Sequence, residues 1–169
     1  MAHGKHIGKV VMKIREEENE IHCLPRPITV KAVRRTLCNP QHVYLIVGGL
    51  GGIGLELAHW LFLRGGKKFV LTSRSGVKTG YQARCLNFWR KNGVKVTISN
   101  LDVSDYGQTV QLLREAEKLG PIGGIFNLAM VLRDCLFENQ SAQNFCEAAA
   151  PKYYGTKNLD KASRQICDS

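Results

Sequence analysis

From Val43 onward, short solid blocks of hydrophobic residues alternate with longer stretches in which apolar positions recur every three or four residues. Val43-Tyr-Leu-Ile-Val47 is unbroken and rich in β-branched and aromatic residues, the pattern of a strand buried on both faces. It runs straight into Gly48-Gly49-Leu50-Gly51-Gly52-Ile53-Gly54, after which Leu55 to Arg64 takes up helical spacing. Ile53, Leu57 and Leu61 mark the expected inner face of that helix with Ala58 beside them, and Gly65-Gly66 ends it. A second strand is expected over Phe69 to Thr72. A helix over Tyr81 to Lys91 follows, with Ala83, Leu86 and Trp89 turned inward and Asn92-Gly93 closing it. Val94 to Ser99 reads as a third strand. Ser104 is the expected N-cap of a helix reaching Leu119 through Val110, Leu113 and Ala116, and Gly120-Pro121 stops it. Gly124 to Leu128 is the fourth strand, followed by a short helix near Ala142 to Ala149 and a last one over Tyr153 to Ile166. This order predicts an α/β fold: a Rossmann-like, doubly wound parallel sheet with helices on both faces.

Before Val43 the pattern is different. His6 to Ile14 alternates as one short strand, Glu16-Glu-Glu-Asn-Glu20 is too charged to bury, and Leu24-Pro-Arg-Pro-Ile28 leads to a short helix around Val30 to Thr36. A single strand is not stable by itself. Residues 1–19 are therefore expected to close a preceding domain, 20–41 to be a linker, and 42–169 to be the N-terminal part of the strand–helix domain.

Composition narrows the class without choosing a function. With 44% hydrophobic and 22% charged residues, the 169-residue chain is ordinary for a soluble globular protein. No apolar run approaches the ~20 residues of a membrane span, and the N-terminus lacks the apolar core of a secretory signal; a cytoplasmic protein is expected. The net charge of +10 comes from scattered Lys and Arg without aromatic interleaving or zinc spacing. A solvated basic surface is favoured over a nucleic-acid face, and such a surface can also steer an anionic cofactor or an acidic carrier protein. The six cysteines include no Cys-x-x-Cys pair, so reduced thiols are expected rather than a disulfide scaffold or metal site.

The chemistry centres on the glycines. A strand that turns through glycines into a helix N-terminus can hold a pyrophosphate, because the backbone approaches closely and the helix end offers free N–H groups. A P-loop would need Gly-Lys-Ser/Thr, whereas Leu55 and Glu56 follow Gly54 here. A methyltransferase or an NAD site would want an acid at the end of the second strand. Arg74 stands there instead, between Ser73 and Ser75. A fixed positive fork with two hydroxyls suits the 2′-phosphate of NADP, although a solvated loop Arg is the bland alternative. Asp102, after the third strand, is equally open to accepting from an adenine amino group or to starting the next helix's approach.

Val47-Gly-Gly-Leu-Gly-Gly-Ile-Gly54, Leu71-Thr-Ser-Arg-Ser-Gly76, Leu101-Asp-Val103 and Asn127-Leu-Ala-Met-Val-Leu-Arg-Asp134, in this order, resemble the short-chain dehydrogenase/reductase family. With Pro151-Lys-Tyr-Tyr-Gly-Thr-Lys-Asn-Leu159 added, the chain resembles the β-ketoacyl reductase domain of animal fatty acid synthase, and Met1 to Val10 resembles the closing strand of that synthase's enoyl reductase domain. The resemblance implies NADPH-dependent reduction of a 3-ketoacyl group on acyl carrier protein, within a homodimeric cytoplasmic synthase whose other domains share the polypeptide. It assigns Gly48, Gly49, Gly51, Gly52, Ile53 and Gly54 to the pyrophosphate turn, and Ser73 with Arg74 to NADP selection. Asp102 and Val103 match the adenine contact, Asn127 and Ala129 the turn near the nicotinamide ribose, and Lys152 the catalytic lysine. Without the resemblance, Lys152 reads as a surface charge.

Val47 departs from the Thr or Ser common in the family, which should weaken a side-chain bond in the turn, and Met130 stands where Gly is usual. The family's catalytic Ser and its Tyr-x-x-x-Asn correspond to positions beyond Arg164-Gln-Ile-Cys167, so a polypeptide of these residues alone is expected to be inactive. The missing strands should also leave a sheet edge prone to aggregate. The alternative reading is a non-enzymatic dinucleotide-binding or scaffolding module.

Overall fold

The computed structural model describes residues 36–167. The expected strand His6–Ile14 and the preceding-domain and linker assignments up to residue 35 lie outside them. Four parallel strands form one sheet: β1 (Val43–Val47), β2 (Lys68–Thr72), β3 (Lys95–Ser99) and β4 (Ile122–Asn127), in the order β3-β2-β1-β4. The helices are α1 (Gly52–Leu63), α2 (Gly80–Lys91), α3 (Tyr106–Glu117), α4 (Ala142–Ala149) and α5 (Tyr153–Cys167), with a 3-10 turn at Phe137–Asn139.

The two-residue period of the strands sorts the core into two layers. Tyr44 and Ile46 join Phe69 and Leu71 on one face, where Leu55, Ala58 and Leu61 of α1 and Leu86 and Trp89 of α2 cover them. Val43, Leu45, Val47 and Val70 turn to the other face, against Leu112, Leu113 and Ala116 of α3 and Leu159 and Ala162 of α5. Every residue of β1 is buried, as its continuous apolar run requires. The outer strand β3 alternates, with Lys95 and Thr97 exposed, as an edge strand should.

Several local expectations shift. Ile53 is 76% exposed, and the buried face of α1 is Gly54, Leu55, Ala58 and Leu61. The helix starts at Gly52, earlier than its apolar spacing suggests, and lies so close to the glycine turn that Leu55 rather than Ile53 faces the sheet. Asp105, not Ser104, caps α3, its side chain accepting from the Gln108 N–H. β4 begins at Ile122, directly after Pro121, two residues before the expected start.

This topology fixes where a ligand sits. The strand order runs outward from β1 through β2 to β3 and then resumes on the other side of β1 with β4. Connections from β1 and β4 therefore diverge, and a crevice opens at the carboxyl ends of those strands.

Candidate functional site

The glycine turn is held from below by the end of β2. The Gly48 N–H donates to Thr72 Oγ1 at 3.1 Å, and the Gly49 N–H donates to the Thr72 carbonyl at 3.0 Å. Thr72 thus makes a side-chain bond to the turn from the neighbouring strand, a contribution nothing in the sequence marks. Gly48 adopts φ +75°, a left-handed conformation that disfavours any side chain. A Cβ on Gly54 would lie 2.7 Å from the Gly48 carbonyl oxygen and from the Gly49 Cα, so only glycine lets α1 press onto the turn.

The N-terminus of α1 is unlike those of α2, α3 and α4, whose Thr79, Asp105 and Ser141 side chains each accept from a first-turn N–H. Its N-cap, Gly51, has no side chain to offer, and its first turn contains no acidic residue. The first-turn N–H groups of Gly52, Ile53 and Gly54 therefore have no intrahelical acceptor, and the positive helix end stays uncompensated.

A cleft of about 580 Å³ opens over this turn. Gly48, Gly51, Ser73 and Arg74 line it, as do Asp102, Val103 and Ala129. Gly49 and Gly54 are buried beneath the turn, and Gly52 and Ile53 occupy the exposed start of α1. Arg74 is exposed, and its guanidinium makes no hydrogen bond or ion pair among the described residues. The Ser73 N–H is tied to the Ser99 carbonyl at 2.9 Å, which anchors the start of the Arg74 loop to β3. Asp102 accepts from the Ser104 N–H through Oδ1 at 2.8 Å, an Asx turn that leads into α3, while remaining part of the cleft wall.

Asn127 and Lys152 do not line the cleft; they brace its wall. The Asn127 side-chain amide donates to the Pro151 carbonyl at 2.8 Å and to Thr156 Oγ1 at 3.0 Å. Its oxygen accepts from the Ala129 N–H at 3.3 Å. Lys152 is exposed, and its ammonium donates to the Asn127 backbone carbonyl at 3.0 Å. The cleft wall also contains Arg133 and Glu147, an ion pair that joins the loop after β4 to α4. A hydrogen bond from Gln143 and then the Arg133 guanidinium hold the Glu147 carboxyl below its usual range.

Beside the glycine turn, the Tyr81 hydroxyl donates to Glu56 Oε1 at 2.8 Å, linking α2 to α1. This bond to the carboxylate, followed by the neighbouring Cys85, pushes the Tyr81 phenol up to about 12. Because the folded value lies above the ordinary tyrosine value of about 10, the contact is fully present below that pH and is lost as pH rises through the folded value. An ultraviolet phenol titration should show one step near 12 in the parent protein. In Glu56→Gln that step should return towards the ordinary value; an unmoved step would rule out the carboxylate as the cause.

Among the described residues, no group of three or more potential metal ligands is present, no helix is long and apolar enough to cross a membrane, and Cys38, Cys85, Cys135 and Cys146 are free thiols.

A parallel sheet that reverses order beside β1, carrying a glycine turn onto an uncapped helix, defines a Rossmann-like fold of the short-chain dehydrogenase/reductase type, and that fold implies a nicotinamide dinucleotide cofactor. The residues present fit such a group: uncapped first-turn N–H groups suit a pyrophosphate, and the cleft joins Gly48 and the N-cap Gly51 to the Arg74 loop. The model of the KR domain family matches residues 42–168, and the chain belongs to that family of ketoreductase domains. It is 34% identical over 168 residues to highly reducing polyketide synthase 40 of Fusarium pseudograminearum, covering 98% of this chain and 6% of the relative. Other fungal polyketide synthases match as well, and the chain spans only about 6% of the length of those first matched. An N-terminal ketoreductase from the macrolactin assembly line superposes with a TM-score of 0.69 at 26% identity, over 79% of this chain and 28% of that one. A short-chain dehydrogenase/reductase from Burkholderia phymatum in complex with NAD superposes with a TM-score of 0.63 at 25% identity, over 74% of this chain and 43% of that one.

Proposed function

We propose that this chain is the NADPH-binding part of a ketoreductase that reduces a 3-ketoacyl group carried on acyl carrier protein to the 3-hydroxyacyl form. The observation that carries the cofactor reading is the pairing of two features on one cleft: the uncapped N-terminus of α1 and the unpartnered Arg74 at the end of β2. The first suits the pyrophosphate common to both nicotinamide dinucleotides. The second suits the additional 2′-phosphate, which a guanidinium meets with two parallel hydrogen bonds. An NAD site places an acid where Arg74 stands.

When bound, NADPH supplies the hydride. The chain's own residues bind and orient it: the glycine turn at the pyrophosphate, Ser73 and Arg74 at the 2′-phosphate, and Asp102 with Val103 at the adenine. Asn127 and Ala129 shape the wall near the nicotinamide ribose. Lys152 is the assigned member of the proton relay, with its ammonium held at the Asn127 carbonyl. The run of motifs supports placing this domain in a cytoplasmic, homodimeric multidomain synthase of the animal fatty acid synthase type, and the matched polyketide synthases are a second synthase class with the same domain.

Titration of the 169-residue chain with NADPH and NADH tests the reading. One or two charge-assisted hydrogen bonds at about 1.5–3 kcal/mol each predict at least a tenfold preference for NADPH. Arg74→Ala should remove most of that preference while leaving NADH binding nearly unchanged. Equal affinities in the parent chain would overturn the NADPH assignment.

A further inference from the structure

One side chain ties the glycine turn to the far end of the segment that carries Arg74. Gln82, half-buried in the first turn of α2, accepts through Oε1 from the Lys78 N–H at 2.7 Å and the Thr79 N–H at 3.0 Å. Through Nε2 it donates to the Leu50 carbonyl, inside the glycine turn, at 2.9 Å. Thr79 completes a capping box by accepting from the Gln82 N–H at 3.2 Å. Helix capping alone does not require this residue, because glutamate closes the same box. Only the amide has both an acceptor for the cap and a donor for Leu50, so the Leu50 bond is the feature that calls for glutamine.

The segment that Gln82 ties down is the one that carries Arg74. Its start is fixed by the bond from Ser73 to Ser99. Its middle is held loosely: the Ser73 hydroxyl reaches the Gly76 carbonyl at 3.4 Å, the Gly76 N–H reaches the Ser73 carbonyl at 3.4 Å, and Gly76 has φ +63°. The far end, at Lys78 and Thr79, is fixed by Gln82. Arg74 has no partner of its own among the described residues, so its location relative to the glycine turn depends on the Thr72 and Ser73 bonds before it and on the Gln82 anchor after it.

We propose that Gln82 is a positioning residue for cofactor selectivity. It sets the separation between the glycine turn, which holds the pyrophosphate shared by NADH and NADPH, and the Arg74 loop, which meets the phosphate that NADPH alone carries. The inference rests on the NADPH reading of the site. Charge-assisted hydrogen bonds need heavy atoms about 2.7–2.9 Å apart. A strut that lets the loop drift by an ångström therefore weakens NADPH binding more than NADH binding.

The test is a double-mutant cycle on the full 169-residue chain, measuring dissociation constants for NADPH and NADH in the parent, Gln82→Met, Arg74→Ala and the double variant. Gln82→Met should lower the NADPH-to-NADH preference about fivefold to tenfold, the loss of roughly one good hydrogen bond, while NADH affinity changes less than about twofold. In the Arg74→Ala background the same substitution should leave the ratio unchanged. If Gln82→Met does not fold, Gln82→Glu keeps the capping box, removes the Leu50 bond, and is read through the same cycle. Equal loss of both cofactors, an unchanged ratio in a folded variant, or a ratio effect that persists without Arg74 would each overturn the proposal. A parent chain without NADPH preference would defeat the cofactor reading and this inference together. An Arg74-dependent preference that is indifferent to Gln82 would defeat this inference alone.

Discussion

Gly54→Val should destabilise the domain by about 3 kcal/mol, the upper end of the overpacking range, and reduce dinucleotide affinity by about 100-fold. The contact at Gly54 leaves no inexpensive relaxation. The three nearest atoms to a Cβ there are the Gly48 oxygen, the Gly49 Cα and the Gly49 oxygen, all backbone and all at 2.7 Å. No side chain can rotate away, so either α1 lifts from the sheet or the turn moves. Lifting α1 withdraws Leu55, Ala58 and Leu61 from the layer that covers Phe69 and Leu71. Moving the turn breaks the two bonds to Thr72 and displaces the first-turn N–H groups proposed to hold the pyrophosphate. Losing one or two such charge-assisted bonds, at about 1.5–3 kcal/mol each, accounts for the expected fall in affinity.

Gly52→Ala provides the contrast within the same turn. A Cβ at Gly52 meets nothing within 4 Å, and the residue lies inside α1 without positive φ. Alanine there should leave stability unchanged or raise it by up to about 1 kcal/mol through the unfolded chain's lost freedom. Denaturant titration of the two variants measures the difference. Equal destabilisation would show that the turn needs glycine for flexibility in general, and not for the close approach at Gly54.

The same geometry explains which parts of this molecule are legible in the sequence. β1 and the glycine turn are encoded locally, because a strand buried on both faces must be continuously apolar and the turn must be small. Leu86 and Trp89 are found by spacing, since α2 is covered on one face only. Ile53 misleads because the helix register depends on the contact between Gly54 and the turn, which periodicity does not record. Ser104 and Asp105 are adjacent and both good caps, and the choice falls to Asp105 because its carboxylate reaches the Gln108 N–H at 2.7 Å. Thr72 and Gln82 act on glycine-turn atoms 24 and 32 residues away, and Arg133 meets Glu147 across 14. Such pairings exist only once the strand ends are side by side. Lys152 carries no local signal at all; its assignment came from the resemblance, and the structure adds the carbonyl that its ammonium faces.

Asn127→Asp should cost about 2–3 kcal/mol although it changes a single atom and keeps the side chain's volume. Asparagine here donates twice and accepts once, to Pro151, Thr156 and Ala129. An ionised aspartate still accepts from the Ala129 N–H but cannot donate, and it sets an oxygen against the Pro151 carbonyl. The rotatable Thr156 hydroxyl can turn to donate to the carboxylate, but the buried Pro151 carbonyl loses its donor, at about 1–3 kcal/mol, and the repulsion adds to that. The Pro151 bond is the more important because Pro151 is buried and forms part of the cleft wall, whereas Thr156 is exposed. Thr156→Val should therefore cost only about 0.5–1 kcal/mol, and water can replace that partner. Chemical denaturation of both variants, with dinucleotide titration of each, separates a brace from a direct ligand contact. A brace gives Asn127→Asp a large stability loss and a smaller, equal loss of NADPH and NADH affinity. Intact stability with a large binding defect would show instead that the amide meets the cofactor itself and leaves its three intramolecular partners when the cofactor arrives.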